Sequence, residues 1–233
     1  MINKEVILDF LKDQARDAVK DKTSIATTIF VVIGALFIGG YYFNGWYTNR
    51  VESAAQLAFT ESLDIYNQAL SKELMTTDKA TNEWDESDLA FKTAYDQNKN
   101  SKLSPFFLVY QAQSLAREGE IEKAVSILDE AIDDVSNDLH FFNLFKLTKN
   151  LILFNGSTED KTSALKDLEA LASDKDNPLQ DMSLYFLAEY YYSEGDLEKA
   201  KDLFQRASEL GFKNELNVES PWVGLSKEKL ASL

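Results

Sequence analysis

The sequence predicts an all-α chain: one transmembrane helix, then a solenoid of α-hairpins closed by a C-terminal capping helix. Three observations carry this. In Leu184–Ala207, apolar residues recur at helical spacing on both sides of Gly195: Leu184, Leu187, Ala188 and Tyr191, then Leu197, Ala200, Leu203, Phe204 and Ala207. The turn at its centre, EGDLEKA, recurs as EGEIEKA, with the two glycines 76 residues apart. Finally, Thr23 to Asn49 contains no charged residue. With only 3 prolines in the chain, little interrupts helix formation.

Residues 1–22 read as a cytoplasmic amphipathic helix with Ile7, Leu11, Ala15 and Ala18 on one face. Asp9, Asp13 and Asp17 each precede a base by three residues, a spacing that supports an exposed helix. Residues 23–47 read as the transmembrane helix, since TSIATTIFVVIGALFIGG can cross a hydrocarbon layer about 30 Å thick. Tyr41, Tyr42, Phe43, Trp46 and Tyr47 form an aromatic belt at one interface. Ala35 and Gly39 give a small-xxx-small step for packing against another membrane helix, although glycine is common in such helices anyway. Five bases precede the segment, and Arg50 is followed by no further base until Lys72. That asymmetry puts the amino terminus in the cytoplasm and the large domain outside. With a long leading region and no A-x-A-like site close behind, the segment reads as an anchor rather than a cleaved signal peptide.

Residues 48–233 read as the domain beyond the membrane. Its first, irregular hairpin, about 51–99, has Ala54, Leu57, Ala58, Leu63, Tyr66 and Leu70 as inner residues, answered by Leu89, Ala90, Ala94 and Tyr95. The second, about 105–135, opens on Ser104-Pro105, a cap followed by proline at the first turn. Its Leu108, Ala112, Leu115, Ala124, Leu128 and Ala131 match Leu184, Ala188, Tyr191, Ala200, Phe204 and Ala207 of the last hairpin, about 181–210. Between them a degenerate hairpin, about 139–173, carries Leu144, Leu147, Thr148 and Leu151, then Ala164, Leu168 and Leu171. Its turn, NGSTEDKT, reads as about four residues longer than usual. Large and small residues alternating at these spacings are the tetratricopeptide pattern. Gly211 reads as a helix-end residue, and Ser220-Pro221 starts a capping helix, 220–233, with Trp222, Leu225 and Leu230 covering the end of the stack.

Net charge is −15, so a phosphate backbone would be repelled and nucleic acid is a poor partner. With no cysteine, neither disulfides nor zinc–thiolate sites can form. His140 is the single histidine and reads as a helix-start or groove-edge residue. No nucleotide-binding or calcium-loop motif occurs. The chain is therefore expected not to be an enzyme and to carry no cofactor, metal or catalytic residue. What remains is recognition. The repeat alignment places Phe106, Val109, Tyr110 and Gln113, then Phe142, Phe145 and Lys149, then Met182, Tyr185, Phe186, Glu189 and Tyr192 on a concave face. Such a groove suits an apolar peptide. The same rings also suit packing between hairpins, and the sequence leaves both roles open.

The stretches DQNKNSKLSPFFLVYQAQ, AREGEIEKAVSILDEAI, SEGDLEKAKDLFQRA and the closing SPWVGLSKEKLASL, together with the layout of anchor and domain, carry a wider resemblance. The chain resembles the bacterial ancillary SecYEG translocon subunits of the YfgM type. The aromatic-rich helices Phe141–Phe154 and Tyr185–Tyr192 depart from that family's pattern. The resemblance implies an inner-membrane protein with a periplasmic domain, associated with the Sec translocon and a parvulin-type periplasmic chaperone. It implies handling of unfolded or translocating envelope polypeptides. The alternative is a scaffold subunit of another envelope complex, in secretion, pilus or division machinery.

Overall fold

The computed structural model describes residues 22–75, 81–210 and 219–233, with side chains from residue 48 onward except those of Thr81 and Thr158. The described residues are mainly helical, without strands, in nine helices: α1 Lys22–Met75, α2 Thr81–Gln97, α3 Ser104–Glu118, α4 Ile121–Asp134, α5 Leu139–Leu153, α6 Thr158–Ser173, α7 Gln180–Ser193, α8 Leu197–Glu209 and α9 Pro221–Ser232. The chain divides into residues 1–54 and 55–233. The side chains of the expected amino-terminal helix (1–22) and membrane segment (23–47), Ala35 and Gly39 included, lie outside the described residues. Among the described residues no helix is long and apolar enough to cross a membrane. Gly211 also lies outside them.

In residues 55–233 each helix packs on its neighbours in sequence. α3 lies against α2 and α4, α5 against α4 and α6, α7 against α6 and α8, and α9 against α8 and α7. α3 also touches α5, so the first helices of successive hairpins line up side by side. This is a helical-repeat-like architecture.

The small residues explain the close pairing. Ala112, Ala124, Ala131, Ala164, Ala188, Ala200 and Ala207 are all at 0% exposure, which brings facing backbones together. Leu128, Leu168, Leu184 and Phe204 fill the space beside them. The two EG turns close alike. Gly119 and Gly195 take φ 93° and 82°, a left-handed conformation that costs a side chain roughly 1 kcal/mol. Glu120 N–H then donates to Leu115 O and Asp196 N–H to Tyr191 O, each at 2.9 Å.

Leu197 and Leu225, expected on apolar faces, are 53% and 37% exposed, and four further local features differ from the sequence reading. Ser104 is the first helical residue, because Leu103 is already helical at φ −82° and ψ −8°, and no side chain caps α3. The turn before α6 is short. Ser157 Oγ accepts from Asp160 N–H and Asp160 Oδ2 accepts from Ser157 N–H, a reciprocal cap that winds residues 158–162 into helix. On α2 the buried face is Trp84, Ser87, Phe91 and Ala94, leaving Leu89 62% exposed. On α1 the buried positions are Ala55, Ser62 and Ala69, with Phe59 and Tyr66 packed beside them, leaving Leu57 62% exposed and Ala54 exposed. The packed aromatics, offset from the leucines by a fraction of a turn, decide which face turns inward.

Polar groups lock hairpins together inside the stack. Asn177, at 1% exposure, accepts from Asn143 Nδ2 (3.0 Å) and Leu179 N–H (2.9 Å) and donates to Leu171 O (2.8 Å). It thereby joins α5 to the α6–α7 connection. Ser87 and Ser114 Oγ meet at 2.8 Å between α2 and α3. Asn177→Ala leaves the buried amide of Asn143 unpaired and is expected to cost about 2 kcal/mol. Thermal unfolding by circular dichroism should show a fall of roughly 4–8 °C. Gly195→Ala, with open space around its Cβ, should cost about 1 kcal/mol through backbone strain alone.

Candidate interaction groove

Three first helices build a groove of 580 Å³. Tyr66 and Glu73 come from α1, Gln113, Ala116 and Arg117 from α3, Thr148, Leu151 and Ile152 from the end of α5, and Asn155 from the turn after it. Because α3 and α5 run side by side, residues at the same height on each face a common space. Ala116 leaves a shallow position, while Leu151 and Ile152 supply apolar surface.

The rim at α1 and α3 is held by one carboxylate. Glu73 Oε1 accepts from Arg117 Nη1 and Glu73 Oε2 from Trp84 Nε1, at 2.9 and 2.8 Å. The Arg117 guanidinium also lies 5.8 Å from the Trp84 ring centre. Trp84 is buried, so this end is anchored in the core. Tyr66 OH donates to Gln113 Oε1 at 3.0 Å. Burial foremost holds the Tyr66 phenol above its ordinary pKa; Arg117 opposes the shift and Tyr110 and Glu73 add to it. The phenol therefore stays a donor at neutral pH. The bond uses the carbonyl of Gln113; its NH2 finds no acceptor among the described residues. Asn155 is exposed at the other end. Amides and hydroxyls beside apolar surface can pair with the N–H and C=O of an extended backbone and accept its side chains.

Of the residues expected on a concave face, Gln113 lines this groove. Tyr110 stands behind it in an aromatic cluster, stacked on Phe91 at 5.2 Å and edge-on to Tyr66 and Phe59. Val109 and Phe145 are core residues at 5% and 1% exposure. Phe106 packs edge-on to Phe141 and Phe145 between hairpins. Phe142 lies under Lys146, and Lys149 pairs with Asp129 at 2.6 Å. Met182 is half-buried beside the last core cluster.

The expected residues of α7 meet the chain's own last helix. Trp222 packs on Tyr185 and Phe186 at 5.4 and 5.1 Å. Lys229 pairs with Glu189 at 2.7 Å and sits 5.2 Å from the centre of the Tyr192 ring. The repeat spacing points to α3, α5 and α7; the groove is lined by α3 and α5 but also by Tyr66 and Glu73 of α1, and not by α7, and Arg117, Thr148, Leu151 and Asn155 are lining residues outside the expected set. Arg117 is the signal in the sequence, a base two residues before the turn glycine on a helix whose outward positions are otherwise uncharged until Glu118.

His140 sits at the start of α5, where Asp138 Oδ1 accepts from His140 N–H and Phe141 N–H, and it is exposed. No family model matches the chain, and no curated protein is significantly similar to it.

At the end of α3, Glu118 is pushed up to about 7, by burial foremost and then by Asp85 and Asp88 of α2. Its folded pKa lies above the unfolded value, so the folded state holds the extra proton within that interval. Stability is therefore lost as the pH rises through about 7. Glu118→Gln should remove this part of the pH dependence. Urea titrations from about pH 5 to about pH 8 should show a smaller loss of stability in the variant than in the parent.

Proposed function

We propose that the chain is a membrane-anchored adaptor whose tetratricopeptide-like solenoid holds extended segments of other polypeptides. The observation that carries this is the groove across α1, α3 and α5, with Gln113, Thr148 and Asn155 set beside Leu151 and Ile152. Its functional groups match a peptide backbone, and its rim is fixed by the Glu73–Arg117 pair. The serial packing of hairpins supports the solenoid reading, as does the large–small alternation in the last two-helix unit. The action is binding, without chemistry.

The place of action follows from the sequence. The uncharged stretch Thr23–Asn49, with more bases before it than after, supports an inner-membrane anchor with a cytoplasmic amino terminus and a periplasmic domain. Together with the resemblance to YfgM-type ancillary subunits, this points to the Sec translocon and a parvulin-type periplasmic chaperone as partners. Unfolded or translocating envelope polypeptides are then the clients.

The chain has no cysteine, so a single cysteine bearing a photo-crosslinker reports one position. Placed at Asn155 in native membranes, it should capture translocon subunits or nascent envelope polypeptides. The same probe at Lys201, exposed on α8, should capture neither. Recovery of neither class from Asn155, or equal recovery from Lys201, would overturn the reading. Gln113→Ala combined with Asn155→Ala should weaken binding of a permanently unfolded polypeptide roughly 5–20-fold with helicity unchanged, measured by fluorescence anisotropy.

A further inference from the structure

The two ends of the hairpin stack are finished differently. At the C-terminal end, α9 lies over α7 and α8. It buries Val223 and Ser226, packs Leu230 on the last core cluster and Trp222 on two rings, and pairs Lys229 with Glu189. A short helix that packs a few apolar side chains and aims a base at a carboxylate is thus how this protein closes an end. At the other end, α1 and α2 form a second groove, 430 Å³, and no described helix packs over it.

Its apolar lining includes Ala58, Ala90 and Ala94, small residues that let another backbone approach closely, together with the larger Ile65. Leu89 stands on its wall at 62% exposure, and Leu57, one turn before Glu61, is equally exposed. The polar lining includes Glu61 and Glu86, and no base. Neither acid forms an ion pair among the described residues. A stacked repeat array needs its terminal apolar face covered.

We propose that this groove between α1 and α2 docks a basic amphipathic helix of a partner polypeptide, which caps the first hairpin as α9 caps the last. The apolar lining supplies contact area, and the two carboxylates select lysine or arginine on the incoming helix. A second copy of the chain is the poorer occupant. A symmetric pairing would set Glu61 and Glu86 of one copy against the same acids of the other, in a chain of net charge −15. The site is separate from the groove across α1, α3 and α5 and does not depend on what that groove binds.

The test uses the full chain in nanodiscs of zwitterionic lipid, with empty discs as the blank. The probes are a fluorescein-labelled amphipathic helix of leucine and lysine, about four turns long, and its leucine–glutamate counterpart. Anisotropy should show binding of the lysine peptide and not of the glutamate one. Leu89→Asp, and separately Glu61→Lys with Glu86→Lys, should each weaken it at least tenfold. Glu198→Lys on α8, and the Gln113→Ala/Asn155→Ala pair, should leave it unchanged. Leu89 is exposed, so Leu89→Asp should retain the parent helicity; Thr93→Arg gives a second block at the same wall. Absence of binding, equal binding of the glutamate peptide, or indifference to both groove variants overturns the proposal. So does weakening by Gln113→Ala/Asn155→Ala, or a concentration-dependent dimer in sedimentation that Leu89→Asp dissolves.

Discussion

Close approach of helix backbones at alanine is the constraint on which residues 55–233 depend. Two helices can pair tightly only where one presents a small side chain, and Ala112 and Ala124, or Ala188 and Ala200, do this within a hairpin. The large residues then have one place to go, beside the alanine. Leu128 and Phe204 take it and are fully buried. A methyl group added at such a position has no void to enter, because interiors are packed to crystal density. Hairpin stacks on hairpin by the same device, and the first helices α3 and α5 come to lie together.

That alignment makes the inner groove, and polar groups then stiffen it. Glu73 ties a buried indole to a surface guanidinium, so the rim is a fixed feature rather than a pair of free side chains. Most surface ion pairs contribute little, about 0–1 kcal/mol. Here the value lies in position: Arg117 is held over Trp84 and its charge stays at the mouth of the groove. Further along the stack the α7 surface is spoken for, since Trp222 and Lys229 of α9 cover the aromatic and acidic residues there. The open groove is therefore shorter than the row of first helices.

Much of the helix plan was legible because it rests on local signals. Gly195 and Gly119 mark the turns, and their left-handed φ is what a glycine at a helix end provides. Ser220-Pro221 begins α9 as expected, with Ser220 Oγ accepting from Trp222 N–H. Where the structure departs from the periodicity, a stronger local signal or a tertiary contact decides. Ser157-x-x-Asp160 is a capping box, and it turns an expected long loop into the first turn of α6. Leu89 looked like a core residue by hydrophobicity alone, yet Phe91 and Trp84 claim the inward face of α2 because they meet the rings of α1 and α3. The groove was legible only in part, since α3 and α5 line it as expected whereas α1 replaces α7. Gln113 follows from the repeat spacing, whereas Leu151 and Asn155 line the same space through the side-by-side packing of α3 and α5, a tertiary contact that no single-helix periodicity encodes.

The central claim is that an extended polypeptide lies along α3 and α5. Hydrogen exchange followed by mass spectrometry, on the full chain with and without a permanently unfolded polypeptide, tests it directly. The account predicts slowed exchange in the C-terminal turns of α3 and α5, around Gln113–Arg117 and Thr148–Asn155, with α8 unchanged. Protection confined to α8, or none at all at a saturating concentration of the polypeptide, would contradict it.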